Sequence, residues 1–451
     1  MDVRTLTVED PVARHARDGV ARLRKQDPEL HRLLAREQNR QHETLAMIAS
    51  ASAADASVLA CEGTTTNNVT TEGYPGRRYH AGCAVVDEIE RMAIERAKAA
   101  FGARYANVQP HSGSTANQLV MAALLKPGDT ILGMELSAGG HLTHGSAANF
   151  SGRYFRSVSY GLGADGLIDY AEVSRLARQH RPRMIICGAS AYPRRIDFAR
   201  FRRIADEVGA YLLADISHIA GLVAAGLHPS PIDAAHFTTT STYKQLYGPR
   251  GGLVLMGRDA DAPAPDGRRT LSALVQHAVF PYFQGTPRLN GIAAKARALG
   301  IVATPEFRTL ATRIVRTAGT LAAELASRGW PILTGGTDNH MVLADVGARG
   351  LTGAVAERAL ESCGIIVNRN RIPGDGKPAQ VGGGVRFGTN LLALRGMDES
   401  AIVECAALVD RVWTSLVVVD DVEFVLDDAV RSEVRAAVAD LCRRYPLPDA
   451  A

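Results

Sequence analysis

RMIICGASAYPRRIDFARFRRIADEVGAYLLADISHIAGLVAAG, residues 183–226, decides the fold. Its two apolar runs, RMIICGA (183–189) and AYLLADI (210–216), have the length of buried strands. DFARFRRIADEVG (197–209) lies between them, with apolar residues at helical spacing and a closing glycine. Strand, helix, strand in that order predicts parallel neighbours joined by a right-handed crossover. The pattern extends outward on both sides. TILGME (130–135), HFTTTS (236–241) and GGLVLM (251–256) read as further strands. VDEIERMAIERAKAAFG (86–102), TANQLVMAALL (115–125) and DYAEVSRLARQH (169–180) read as helices. The alternation predicts an α/β fold with a mostly parallel sheet.

The flanks differ from this middle. Residues 10–50 read as helix in two stretches, with Asp27–Pro28 as a start signal. They predict an N-terminal helical arm, 1–60, ahead of a large α/β domain, 61–300. From 301 to 451 long helices such as FRTLATRIVRTAGTLAAELASRG (307–329) mix with short strands, HMVLADV, GIIVN and GVRFG. That pattern predicts a smaller α+β domain. The stretch 259–269 reads as an exposed loop.

The chain has 451 residues, 46% apolar and 22% charged, which is globular composition. A net charge of +4 is too small to imply a nucleic acid or an anionic membrane as main partner. The first residues, MDVRTLTVEDPVARHARDG, lack the apolar segment of a signal peptide. No run approaches the length of a spanning helix. Six cysteines without a CxxC pair read as reduced thiols, and the expected location is the cytoplasm. Only six of 51 basic residues are lysine: Lys25, Lys98, Lys126, Lys244, Lys295 and Lys377. Lysine, unlike arginine, can lose its proton near neutral pH.

Three motifs carry candidate chemistry. HSGST (111–115) opens a helix, and its hydroxyls and helix-start N–H groups suit an anion. An ordinary Ser/Thr cap explains it as simply. Asp215 ends an apolar strand in AYLLADISH, where it either holds a ring nitrogen protonated or caps a loop. Lys244 follows the Thr-rich strand in HFTTTSTYKQLYGPRGG (236–252). A buried lysine there is costly unless paired or neutral, and a neutral one is a Schiff-base nucleophile. A snorkelling lysine is the plainer alternative. Together they fit one ligand with a phosphate, a basic ring nitrogen and an aldehyde: pyridoxal 5′-phosphate.

With these residues in view, the chain resembles the serine hydroxymethyltransferase family over about residues 25–445. The matching segments include EGYPGRRY (72–79), HAGCAVVDEIERMAIERAKAAFGA (80–103), ANVQPHSGSTAN (106–117), GGHLTHGSAANFSG (139–152), 188–231 and GPRGGL (248–253). VFPYFQGTP (279–287) and VNRNRIP (367–373) match with substitutions. The resemblance implies a fold-type I pyridoxal phosphate transferase, aspartate aminotransferase-like. It also implies a homodimer or dimer of dimers, with active sites at the subunit interface and no metal.

Residue by residue, the resemblance makes Lys244 the Schiff-base lysine, Asp215 the partner of the pyridine nitrogen and His141 the stacking ring. Ser190, His218 and Ser241 join the cofactor contacts. Ser112, Gly113 and Ser114 hold the phosphate, helped by the Gln284–Gly285–Thr286 backbone of a second copy. Arg386 and Ser50 bind the substrate carboxylate; Tyr79 and His80 lie beside the substrate. Glu72 is the implied general acid/base. Glu72, Tyr79, Leu136, Leu142, Asn368 and Asn370 are the implied folate contacts.

Several positions depart from the family pattern. Thr70 and His80 stand where tyrosines are expected, and Tyr243 stands where a histidine is expected before the lysine. Ser50-Ala51-Ser52 replaces Ser-Glu-Asn, Ala138 replaces a histidine, and 280–287 is altered. The expected reaction is reversible Cα–Cβ cleavage of a β-hydroxy-α-amino acid. A hydroxymethyl unit passes between serine, or an α-substituted serine, and tetrahydrofolate, leaving glycine or alanine. The alternative is a folate-independent threonine transaldolase or aldolase that passes the glycine unit to another aldehyde.

Overall fold

The computed structural model describes residues 10–448. Its centre is a seven-stranded sheet. In spatial order the strands are Tyr105–Asn107, Gly252–Met256, Phe237–Ser241, Tyr211–Asp215, Met184–Cys187, Thr130–Met134 and Arg156–Tyr160. Gly252–Met256 runs antiparallel to both neighbours; every other pairing is parallel. The central strands are largely apolar on both faces and buried except at Tyr211, as a sheet covered by helices on both sides requires.

The sequence reading found five of these strands. The two it missed are the outermost. Arg156–Tyr160 alternates serine with apolar residues and stays largely solvated, while Tyr105–Asn107 is three residues long. Neither presents the long apolar run that marks an interior strand.

The arm consists of Pro11–Gln26 and Pro28–Glu43, divided at Asp27. The Asp27 carboxylate accepts from Leu30 N at 3.1 Å, and proline occupies the first helical position where no N–H is missed. Neither helix buries a residue. The chain then enters a second body, where Leu45–Ala46 pairs in parallel with Ile365–Ile366. This body holds an antiparallel sheet ordered Met341–Asp345, Gly384–Gly388, Asn368–Asn370. Its apolar core contains the Trp330–Trp413 edge contact, with centroids 4.7 Å apart. In the 259–269 stretch, predicted to be exposed, Ala260 and Ala264 are buried. These two small apolar side chains anchor the loop to the core beneath the sheet.

Candidate active site

The carboxyl ends of the parallel strands all open on one edge. Asp215 is the last residue of its strand, and Lys244 lies three residues beyond Ser241. Ser112 caps the Gly113–Leu124 helix that follows Tyr105–Asn107. His141 follows Thr130–Met134, and Ser190 follows Met184–Cys187. These side chains line one cavity, with Gly113, Ser114, His144, Ser217, His218, Ser241 and Tyr243. The location is the expected one for a ligand in an open α/β sheet.

Asp215 has three donors. Asn117 Nδ2 and His144 Nε2 reach its Oδ2 at 2.8 and 3.2 Å, and Ser217 N reaches Oδ1 at 3.0 Å. The His144 tautomer follows from its other nitrogen. Nδ1 accepts from His141 N at 3.3 Å, so the proton sits on Nε2 and points to Asp215. Burial opposes charge on Asp215, but His144 and Ser217 overcome it and hold the carboxyl far below its ordinary range. Asp215 is therefore a permanent anion at the cavity floor. Asn117 is fixed in turn by Thr239 Oγ1, 2.5 Å from its Oδ1.

Lys244 is 7% exposed, and its amine makes no ion pair or hydrogen bond among the described residues. Burial lowers its amine to about 8, Asp215 opposes the shift, and Arg386 and Arg250 add to it. At neutral pH about a tenth of the amine is neutral, far more than for an exposed lysine. Burial likewise lowers His141 to about 4, so its ring is uncharged. His141 Nδ1 lies 2.8 Å from Thr143 Oγ1. The buried His218 is also neutral, and its ring stacks on His340 at 5.9 Å between centroids.

The opening of the Gly113–Leu124 helix is cradle-shaped. A Cβ on Gly113 would come within 3.1 Å of both Ser217 Oγ and Ser241 N. Ser112 Oγ caps Thr115 N at 3.0 Å, and the remaining first-turn N–H groups have no intrahelical acceptor. Ser241 Oγ and His218 Nδ1 are buried without a partner. Orphaned polar atoms, a glycine-lined cradle, a floor carboxylate and a near-neutral lysine fit pyridoxal phosphate. Its phosphate suits the cradle, its ring nitrogen Asp215 and its aldehyde Lys244.

Arg386 enters from the antiparallel sheet. Its Nε and Nη2 donate to Asn368 Oδ1 at 3.1 and 3.0 Å, and Nη1 donates to the Ser190 carbonyl. No carboxylate pairs with it among the described residues. Burial lowers it to about 10, which leaves it cationic at neutral pH. A desolvated guanidinium without a counter-ion is an anion receptor. Asn368, expected to touch folate, thus meets Arg386, while Asn370 Nδ2 donates to Arg371 O. Ser50 sits in a turn beside Ala49, whose carbonyl accepts from His340 Nε2 and Asn390 Nδ2, both at 3.1 Å. Ser52 Oγ donates to the Tyr243 carbonyl.

A second group of expected residues does not line this cavity. Glu72 lies near Gly285, where a Cβ would be 3.5 Å from Glu72 Oε1. Tyr79 is 75% exposed and meets Phe280 edge-on at 5.6 Å. His80 and Thr286 are exposed, as are Leu136 and Leu142. Within one chain, therefore, Glu72, Tyr79, His80 and Gly285–Thr286 are not among the residues that line the Lys244 cavity. Asn117, Thr143, His144 and Ser217 took no role in the sequence reading. Asn117 lies one turn into the helix opened by HSGST, and His144 is three residues after His141; both fall inside the matching segments 106–117 and 139–152, which was the signal available for them.

The family model described as "Serine hydroxymethyltransferase" matches residues 23–409. Three relatives, each named "Serine hydroxymethyltransferase", come from Xanthomonas campestris pv. campestris strains B100, 8004 and ATCC 33913. Each is 47% identical over 426 residues, covering 94% of this chain and 98% of the relative.

Proposed function

The chain belongs to the serine hydroxymethyltransferase family, and from that premise we propose that it interconverts serine and glycine, passing the one-carbon unit to and from tetrahydrofolate. The observation that carries the reading is the Asp215–Lys244–Arg386 arrangement: a fixed anion and a near-neutral amine line one cavity, and a cation without a carboxylate partner is bonded to the carbonyl of Ser190 in its wall. Bound there, pyridoxal phosphate supplies an electron sink for the pair released when the Cα–Cβ bond breaks.

The chain's own residues do the rest. Asp215, held ionised by His144 and Asn117, keeps a proton on the ring nitrogen. His141, neutral at working pH, packs against the ring face. Ser112, Gly113 and Ser114 bind the phosphate at the helix start. Arg386 would take the amino acid's carboxylate through its planar guanidinium and so orient the substrate beside Lys244. Glu72 moves the proton at the β-hydroxyl. Leu136, Leu142 and Asn370 flank the pterin side.

Glu72, Tyr79 and Gly285–Thr286 do not line the Lys244 cavity within one chain, which supports a homodimer whose sites each combine two copies. Tyr243 lines the Lys244 cavity with its ring 3.9 Å from the Arg250 guanidinium, a tyrosine where the family resemblance expects histidine. That substitution favours the second reading, a folate-independent transaldolase. Product analysis of the cofactor-loaded protein separates them. L-Serine, α-methyl-L-serine and L-threonine are each supplied with and without tetrahydrofolate. Glycine formed from serine only with folate supports the proposal, whereas folate-independent acetaldehyde from threonine with little serine turnover overturns it.

A further inference from the structure

Three consecutive peptide carbonyls around Glu72 are held. Arg78 Nη1 donates to Thr71 O at 3.1 Å and to Gly73 O at 2.8 Å. Tyr79 N donates to Glu72 O at 3.0 Å. Gln109 Nε2 adds a second bond to Gly73 O at 3.0 Å. The Glu72 carboxylate itself has no partner among the described residues. Its backbone direction is fixed while its reactive end stays free.

The groups that do the holding are themselves buried and paired. Arg78 Nε meets Asp87 Oδ1 at 2.8 Å, and Nη2 meets Glu90 Oε2 at 2.5 Å. Glu90 Oε1 accepts from Gln109 Nε2 at 2.8 Å. The side chains of Arg78 and Glu90 are 3% and 1% exposed. Such a pair is a poor source of stability, because desolvation offsets its attraction. It does fix geometry. Gln109 is also continuous with the cofactor cradle. Its carbonyl accepts from Gln284 Nε2 at 3.0 Å, and Gln284 Oε1 accepts from His111 N at 3.3 Å. Lys295 Nζ pins the neighbouring Val108 and Pro110 carbonyls at 2.6 and 3.0 Å.

We propose that Arg78, Glu90 and Gln109 are positioning residues that aim the Glu72 carboxylate at the reacting proton. The proposal rests on the acid/base reading of Glu72. The unit acts through Glu72 alone, so its effect disappears when Glu72 cannot exchange a proton.

A double-mutant cycle on the cofactor-loaded enzyme tests this. Gln109→Met removes both donors at similar volume, and Arg78→Lys keeps the charge but not the fork. Serine turnover with tetrahydrofolate is measured for each, alone and with Glu72→Gln. Each single variant is expected to lower kcat by roughly 10- to 100-fold, the scale of a misaimed catalytic group. The visible cofactor band and the KM for serine stay unchanged. In the Glu72→Gln background the same substitutions change the residual rate by less than about two-fold, which is the non-additivity of groups acting as one unit. Equal losses in both backgrounds, no loss at all, or a loss confined to KM or cofactor retention overturns the proposal. Full turnover by Glu72→Gln alone shows instead that the acid/base reading is at fault, and the positioning role falls with it.

Discussion

Lys244 and Arg386 show how burial turns ordinary cations into reagents. Removing water lowers the Lys244 amine to about 8, and only the lowered amine attacks an aldehyde at physiological pH. The sign sets a prediction. Cofactor uptake by the apo-protein, followed by its visible band, accelerates as pH rises and levels off above about 8. Continued acceleration to pH 10 would place the lysine in a solvated environment instead. Lys244→Ala leaves a folded protein without the band. Arg386 lacks a carboxylate partner, so an incoming carboxylate is its counter-ion. Arg386→Lys keeps the charge but loses the fork. Its expected cost is about 1.5–3 kcal/mol of substrate binding, seen as a KM for serine raised roughly 10- to 100-fold.

At the scale of elements, close backbone approach and a buried clasp matter most. Gly252 begins the one antiparallel strand of the seven-stranded sheet and packs against the cradle, and a Cβ there would stand 2.3 Å from Ser112 O. Gly252→Ala should displace the Ser112–Ser114 turn, costing about 1–3 kcal/mol in stability and weakening cofactor retention in dialysis. Arg395, which had no role in the sequence reading, is 6% exposed. Its guanidinium donates to the carbonyls of Gln41, His42 and Thr44 at 3.0, 2.9 and 3.2 Å, and to Tyr445 at 2.8 Å. It joins the end of the arm to the end of the last long helix. Arg395→Met removes the donor from these part-buried carbonyls. The expected loss is about 2–4 kcal/mol from the denaturant midpoint, with faster proteolysis within residues 11–43. An unchanged cleavage rate would mean that the arm is held by other contacts.

For the whole molecule, the division of site residues between two places has a direct test. In a mixed dimer of Lys244→Ala and Glu72→Gln chains, a site built from both copies pairs an intact lysine with an intact glutamate once per dimer. Random reassociation then restores about a quarter of wild-type activity. If both residues served one chain's own site, no mixture would recover any. The hybrid assay thus reads the assembly without a structure of it.

Strand, helix and strand over 183–226 carried the fold in local terms, because apolar run length and helical spacing are properties of adjacent residues. The Asp215 and Lys244 positions at strand ends were legible for the same reason, and the wording of the HSGST, GGHLTHG and EGYPGRRY segments pointed to the family. Tertiary structure decided the rest. The outer strands lack a local signature, since an edge strand is half-solvated and a three-residue strand has no period. Asn117 and His144 look like ordinary polar residues until the sheet brings Asp215, 98 and 71 positions further on, against them. Arg395 looks like a surface arginine until two distant chain segments converge on it. Arg78 looks like one charge among many until folding desolvates it against Glu90. Sequence sets which groups can ionise; only burial and long-range contact set which of them carry charge, and toward what they point.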